Sequence, residues 1–287
     1  MATLIGQAAS LLKLRIGVAI AASAVAGMAA VDGPGLSFGQ AAVFALAVLG
    51  GAGAAGAFNH YYERDLDVHM TRTRRRPFAS GRFHASRWWM VSFAALLAAS
   101  LVLAAASGGL VAAAYVFLGA FTYGIVYTVW LKRRTVWNIV VGGLAGSFAV
   151  LAGAAAVDPA PQAAPLVFAV VMFLWTPPHF WSLAAARRED YAAAGVPMLP
   201  VTSPDRTWTL AILLHTLGLA FLSLMPLRFG FGPIYGAAAA LGGGYFLWCS
   251  WRLYLAPSRS AAMRNFTASL IQLLLLLAGV IADRALR

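Results

Sequence analysis

The sequence predicts an all-α, polytopic membrane protein: a bundle of nine transmembrane helices around a central cavity that opens to the cytoplasmic side. Three observations carry this reading. Of 287 residues, 61% are hydrophobic and 10% charged, a composition outside the range of soluble globular chains. Apolar runs of about 20 residues, the length that crosses a bilayer, recur along the whole sequence. The basic residues sit in the short segments between those runs. Because the runs recur from end to end, no separate soluble domain is expected, and residues 1–287 are read as one integral membrane domain.

The first run, 16–31, follows Lys13 and Arg15 and ends in small residues. A cleaved signal peptide would have that appearance, but the many runs that follow and the Gly and Ala content favour an uncleaved helix. The remaining runs cover 40–59, 88–107, 109–130, 136–157, 164–186, 208–226, 233–251 and 264–282, each apolar over a helical spanning length. Asp32-Gly-Pro-Gly, Ser107-Gly-Gly, Asp158-Pro-Ala-Pro and Phe229-Gly-Phe-Gly-Pro233 supply turn signals between them. Pro177 and Pro178 lie inside the sixth run and are expected to break or kink it. Gly50-Gly-Ala-Gly-Ala-Ala-Gly56 and Gly142-Gly-Leu-Ala-Gly146 let helices approach closely.

Threading nine spans with the N-terminus inside places 18 of the Lys and Arg residues on the cytoplasmic face and only Arg228, Arg284 and Arg287 on the other. This asymmetry matches the positive-inside rule and accounts for a net charge of +12 without nucleic acid, since a membrane loop is a poor groove reader. The C-terminus falls on the opposite face, and a cell inner membrane is the expected location. The sole cysteine, Cys249, excludes an intramolecular disulfide. No pair of histidines has zinc spacing.

The acids divide as unevenly as the bases. Glu63, Asp65 and Asp67 share one cytoplasmic segment, and Glu189, Asp190 and Asp205 another. If the second span continues as a helix, Asn59, Glu63 and Asp67 fall on one face at i, i+4 and i+8, a row about 12 Å long, while Asp65 points elsewhere. That row is too long for one ion and suits Mg²⁺ ions carrying a diphosphate, because Mg²⁺ is usually held by one or two carboxylates together with substrate phosphates. Arg64, Arg72, Arg74, Arg75 and Arg76 add the forked donors that match phosphate oxygens. Glu189 and Asp190 are candidates for the facing metal site, and the segment from Tyr191 to Thr202 reads as a structured loop able to lid the cavity. Against these readings stands a solvated juxtamembrane loop whose arginines meet anionic lipid.

Asn59-x-x-x-Glu63-x-x-x-Asp67 followed by Arg72-Thr-Arg-x-Arg-Pro77 resembles the first aspartate-rich motif of the UbiA-type membrane prenyltransferases, in their haem O synthase (protohaem IX farnesyltransferase) branch. Tyr127-Thr-x-x-Leu-Lys-Arg-x-Thr135-x-x-Asn138, Trp175-Thr-Pro-Pro-His-Phe-Trp181 and Glu189-Asp-Tyr-x-x-Ala-Gly-Val-Pro-Met-Leu-Pro200 resemble the same branch in order and spacing. Glu63 stands where that family usually has Asp, and Leu14 where Pro is common. The resemblance implies a farnesyl diphosphate donor, Mg²⁺, and haem B as acceptor, giving haem O. It implies catalytic and metal-holding roles for Asn59, Glu63 and Asp67, with Glu189 and Asp190 as further metal ligands. It also implies diphosphate contact by Arg64, Arg72, Arg76, Tyr127, Lys132 and Arg133, and acceptor contact by His179 and Tyr191. The next haem-modifying enzyme or a terminal-oxidase assembly is a candidate partner. An aromatic quinone or chlorophyll precursor as acceptor, or a transporter with an acidic cation site, are the alternatives. Every acid lies at or beyond a predicted helix end, which favours chemistry at the rim over a path through the bilayer.

Overall fold

The computed structural model describes residues 4–286, which form helices and, among the described residues, no strand. The chain begins with α1 (Leu4–Leu11), α2 (Leu14–Ala29), α3 (Phe38–Tyr62), α4 (Arg64–Asp67) and α5 (Arg87–Phe121). A ten-residue π-helix, Thr122–Leu131, continues α5. Then come α6 (Asn138–Gly142), α7 (Leu144–Val157), α8 (Ala163–Ala186), α9 (Arg188–Ala193) and α10 (Leu199–Thr202). The chain closes with α11 (Asp205–Leu222), a 3₁₀ turn (Met225–Phe229), α12 (Pro233–Leu255) and α13 (Arg259–Ala285). Each apolar run of the sequence falls on one of these helices, on one arm of α5 and its π extension, on α6 and α7 together for 136–157, or on α11 and the start of the 3₁₀ turn for 208–226. Six helices among the described residues are long and apolar enough to cross a membrane by length and composition. Large apolar side chains such as Val102, Phe221, Leu241 and Leu274 stand exposed on outward faces, the arrangement that lipid rewards and water does not.

The 45-residue stretch from Arg87 to Leu131 is continuous in sequence but folded back on itself. Gly109 has φ 85° and ψ 170°, a conformation essentially reserved for glycine. A Cβ on Gly50 would meet Ser100, and one on Gly51 would meet Val116. Residues on either side of Gly109 thus reach the same part of α3, and the Ser107-Gly-Gly signal marks the tip of this hairpin.

The core is assembled by close backbone contact. A Cβ built on Gly153 of α7 would lie 1.8 Å from the carbonyl oxygen of Ala24 in α2, and one on Gly27 would lie 2.1 Å from that of Val150. The two helices therefore interlock through reciprocal glycines, the small-residue mode of packing in membranes. At the end of the bundle away from Asn59, Asp32 pairs with Arg284 at 2.9 Å, and Asp283 accepts from the Gly232 and Tyr235 amides at the start of α12.

Two local expectations need correction. Pro177 and Pro178 do not break α8, which runs from Ala163 through both to Ala186. Both are buried, and the helix around them is fastened from outside: the Trp175 indole N–H donates to the Ser269 carbonyl of α13 at 2.9 Å. Tertiary packing overrides the local propensity to break. The fourth apolar run is also not α-helical to its end, because Thr122–Leu131 winds as a π-helix, with the Lys132 amide donating to the Tyr127 carbonyl at i−5, 2.8 Å away.

Candidate active site

The site forms where α3 ends. Asn59 sits on its last turn, Glu63 is its C-cap with φ −91° and ψ 12°, and α4 resumes the helix as far as Asp67. The Glu63 amide donates to Asn59 O at 2.9 Å and the Asp67 amide to Glu63 O at 2.8 Å, so the i, i+4, i+8 ladder survives the slight break. Asn59, Glu63 and Asp67 are all buried, at 1%, 0% and 1% exposure. Asp65 is exposed and bonds Arg133 at 2.8 and 2.9 Å, on the other side of the helix. That hydrogen bond holds the Asp65 carboxyl below its ordinary value. At a solvent-exposed position the pair contributes little to stability.

Each member of the buried row meets a cation. Lys132 Nζ donates to Glu63 Oε2 at 2.5 Å. Arg76 Nη1 donates to both oxygens of Asp67 at 2.9 Å. Lys13 Nζ donates to Asn59 Oδ1 at 2.6 Å and to the Tyr123 hydroxyl at 2.7 Å, and the Asn59 amide donates to Thr128 Oγ1 at 3.0 Å. Buried charges require this pairing. Burial pushes the Glu63 carboxyl up, but the charge and hydrogen bond of Lys132 outweigh it and leave the carboxyl below its ordinary value. Because the folded state favours the carboxylate, the stability contributed by this pair is present above the ordinary glutamate range and lost as pH falls through the depressed value. Detergent-solubilised Glu63→Gln is therefore expected to lose less folded protein on acidification than the wild type, measured by size-exclusion recovery; an unchanged acid profile would contradict this.

Lys13 is the residue sequence reasoning missed, having been counted only as a topogenic charge. It adopts φ 50° and ψ 44° between α1 and α2, a left-handed conformation uncommon for non-glycine residues and of the kind that persists where the surroundings hold it. Gly56 leaves room for its stem, since a Cβ there would lie 3.3 to 3.4 Å from the Lys13 methylenes. Burial, and next the charge of Arg76, pull its ammonium well below the ordinary value. The π-helix is the second feature without a sequence signal. It stacks Tyr123 on Tyr127 with centroids 5.6 Å apart and sets the Lys132 ammonium 5.7 Å from the Tyr127 ring centroid; such π turns recur at functional sites.

Below Lys13 and Tyr123 opens a cavity whose remaining walls are apolar or aromatic, among them Ile16, Ile20, Val48, Tyr115 and Ala149. A polar end lined by three cations and two carboxylates thus leads into a greasy chamber. The arrangement fits an amphiphile with an anionic head and a hydrocarbon tail.

The second acidic segment closes on the first. The Thr71 amide donates to Asp190 Oδ1 at 3.3 Å, and Leu66 and Met70 share a buried cluster with Tyr191, Val196 and Met198. The stretch expected to be a loop is α9, a turn at Gly195 with φ 64°, and α10. Glu189 is exposed beside Asp190. Of the arginines predicted to contact diphosphate, only Arg76 enters the buried row. Arg64 is exposed and donates to the Tyr61 carbonyl at 2.7 Å, Arg133 is held by Asp65, and Arg72 lies exposed on the turn after α4. His179 is buried between Trp175 and Phe266, with ring centroids 4.2 and 4.6 Å away, and its Nδ1 is 2.7 Å from Ser269 Oγ. His60 is 3% exposed on the last turn of α3.

Among the described residues no group of three or more His, Cys, Asp and Glu gathers as a metal site, so no all-protein cage is present. Glu63 Oε1 and Asp190 Oδ2 are nevertheless buried without a hydrogen-bond partner. Unsatisfied carboxylate oxygens on both segments fit a hard divalent cation that takes its other ligands from phosphate and water.

The sequence model of the UbiA prenyltransferase family matches residues 20–276. The chain belongs to the UbiA prenyltransferase family. This UbiA prenyltransferase is 57% identical to protoheme IX farnesyltransferase 2 of Paramagnetospirillum magneticum over 275 residues, covering 96% of each chain. It is 44% identical to protoheme IX farnesyltransferase 1 of the same organism, over 97% of this chain and 98% of that one. Its fold is also that of more distant proteins. A structure of digeranylgeranylglyceryl phosphate synthase superposes with a TM-score of 0.79 at 15% identity, covering 99% of each chain. A UbiA homolog from Archaeoglobus fulgidus bound to GPP and Mg2+ superposes with a TM-score of 0.76 at 16% identity, covering 97% of this chain and 99% of that one.

Proposed function

We propose that this prenyltransferase transfers the farnesyl group of farnesyl diphosphate to a vinyl group of haem B, with diphosphate leaving and a water molecule adding its hydroxyl to the vinyl carbon next to the ring, giving haem O, with Mg²⁺ as the divalent cation. The observation that carries the reading is the joining of the cation-lined carboxylate row to the apolar chamber through Lys13 and Tyr123, in a chain 57% identical to a named protoheme IX farnesyltransferase. The diphosphate would lie against Lys132, Arg76 and Lys13, with Asn59, Glu63, Asp67 and Asp190 as ligands for Mg²⁺. When bound, the metal would neutralise charge on the leaving diphosphate as the allylic C–O bond breaks. The cations now paired with the row would turn to the phosphate oxygens, and the apolar walls would keep water from the allylic cation. The whole chain acts as one membrane domain of nine spans in the cell inner membrane, N-terminus in the cytoplasm and C-terminus on the opposite face. Haem extracted from cells overproducing the protein should contain a farnesylated species by mass spectrometry; none above background would overturn the choice of acceptor.

Two variants probe the assignment of side chains. Lys13→Met keeps an apolar stem of similar length but removes the ammonium, and turnover is expected to fall by about 100-fold, the typical cost of one lost charge-stabilising donor. Wild-type turnover would show that Lys13 only supports the fold. Glu63→Asp is expected to keep substantial activity in a steady-state assay, because the carboxylate remains on the same face; complete loss would mean that the longer arm is required.

A further inference from the structure

A second, open cleft lies between α8, α9 and the start of α13, and its polar lining is Thr71, Arg187, Arg188, Glu189, Asp190 and Arg259. Four cations of this face are committed to carboxylates: Lys132 to Glu63, Arg76 to Asp67, Arg133 to Asp65 and Arg188 to Asp205. Among the described residues Arg187 and Arg259 take part in no ion pair, and the Nε of Arg187 is buried without a hydrogen-bond partner. A buried guanidinium N–H left unsatisfied is costly, and a planar two-donor fork is best met by a carboxylate or phosphate.

The charge of the cleft distinguishes these anions. Its lining carries one more positive than negative formal charge, which balances a singly charged carboxylate and leaves most of the charge of a diphosphate unneutralised. The cleft also adjoins the site already described, through Asp190 and the Thr71 amide that bonds it. Arg187 lies eight residues, about 12 Å of helix, beyond the buried His179 on α8 and its cap, at the aqueous end.

Resting on the reading of haem B as acceptor, we propose that Arg187 and Arg259 bind a propionate carboxylate of the porphyrin, fixing its polar edge in this cleft so that the vinyl-bearing edge faces the prenyl donor. The two arginines then determine acceptor specificity and make no contact with the diphosphate.

The test compares haem B with its dimethyl ester, in which both propionates are neutral, by titrating the Soret band of the purified full-length protein and by steady-state kinetics. The wild type should bind haem B about tenfold or more tightly than the ester, the scale of one charge-assisted interaction. Arg259→Gln and Arg187→Gln, on different elements, should each bind haem B more weakly, leave ester affinity unchanged, and keep the wild-type KM for farnesyl diphosphate. Arg259→Lys should recover part of the preference. Equal weakening of haem B and ester, unchanged haem B affinity in both variants, or a raised KM for farnesyl diphosphate alone would each overturn the proposal. Failure of the underlying reading is seen separately, as a wild-type protein that does not farnesylate haem B at all.

Discussion

Asp67→Ala is expected to reduce prenyl-transfer turnover by at least about 100-fold, with the protein still inserted in the membrane. Asp67 is 1% exposed, both of its carboxylate oxygens accept from Arg76, and its backbone carbonyl accepts from Thr73 Oγ1 at 3.1 Å. Removing the carboxylate deletes a proposed metal ligand from the row and leaves Arg76 partly buried and unpaired, a penalty distinct from the lost contact. Asp67→Asn separates the two effects, since it retains the shape and one oxygen but not the charge. If the charge serves the metal and diphosphate, Asn should be nearly as inactive as Ala while recovering wild-type yield. Asn59→Ala should behave similarly, because it also releases Lys13 and Thr128. Full activity in either alanine variant would remove the row from the reaction.

The largest structural effect is expected at the α2–α7 crossing. Gly153→Val would force a side chain into a space where its Cβ lies 1.8 Å from Ala24 O and 2.6 Å from Ala24 C. No rotamer change relieves contact with backbone, so the two helices must separate and the wall between them opens. Overpacking of cores costs about 1–3 kcal/mol and more when backbone has to move, so at least about 3 kcal/mol is expected here, read as loss of monodisperse protein in detergent or a lowered thermal midpoint. Gly39→Ala is the matched control: nothing lies within 4 Å of a Cβ there, and alanine is the better helix former. A Gly153→Val protein as stable as wild type would mean that the crossing is not held by close approach.

Much of the architecture was legible because bilayer thickness imposes a length on each apolar run, and Ser107-Gly-Gly gave the one turn that helix assignment alone obscures. The buried row was legible because Asn59, Glu63 and Asp67 recur at a helical period, which also separated Asp65 from them. What was hidden depends on distant partners. Lys13 becomes a site residue only because a left-handed backbone and Gly56 turn its side chain inward, and neither is encoded in Lys13-Leu-Arg15. The π winding of Thr122–Leu131 leaves no periodic trace in a run that is apolar or aromatic on all sides. Arg64 and Arg72 look equivalent to Arg76 in sequence, yet only Arg76 folds back onto Asp67, because the turns between them are set by tertiary packing. The helix-breaking tendency of Pro177 and Pro178 yields to burial for the same reason.

The most direct measurement is a single-turnover reaction of the purified, detergent-solubilised protein with farnesyl diphosphate and haem B. Diphosphate release and farnesylated haem are followed together, with and without Mg²⁺ and with each substrate omitted. Equal amounts of the two products, formed only when Mg²⁺ and both substrates are present, are the predicted result; diphosphate release without haem modification, or haem modification unaffected by removal of divalent cations, would contradict the account.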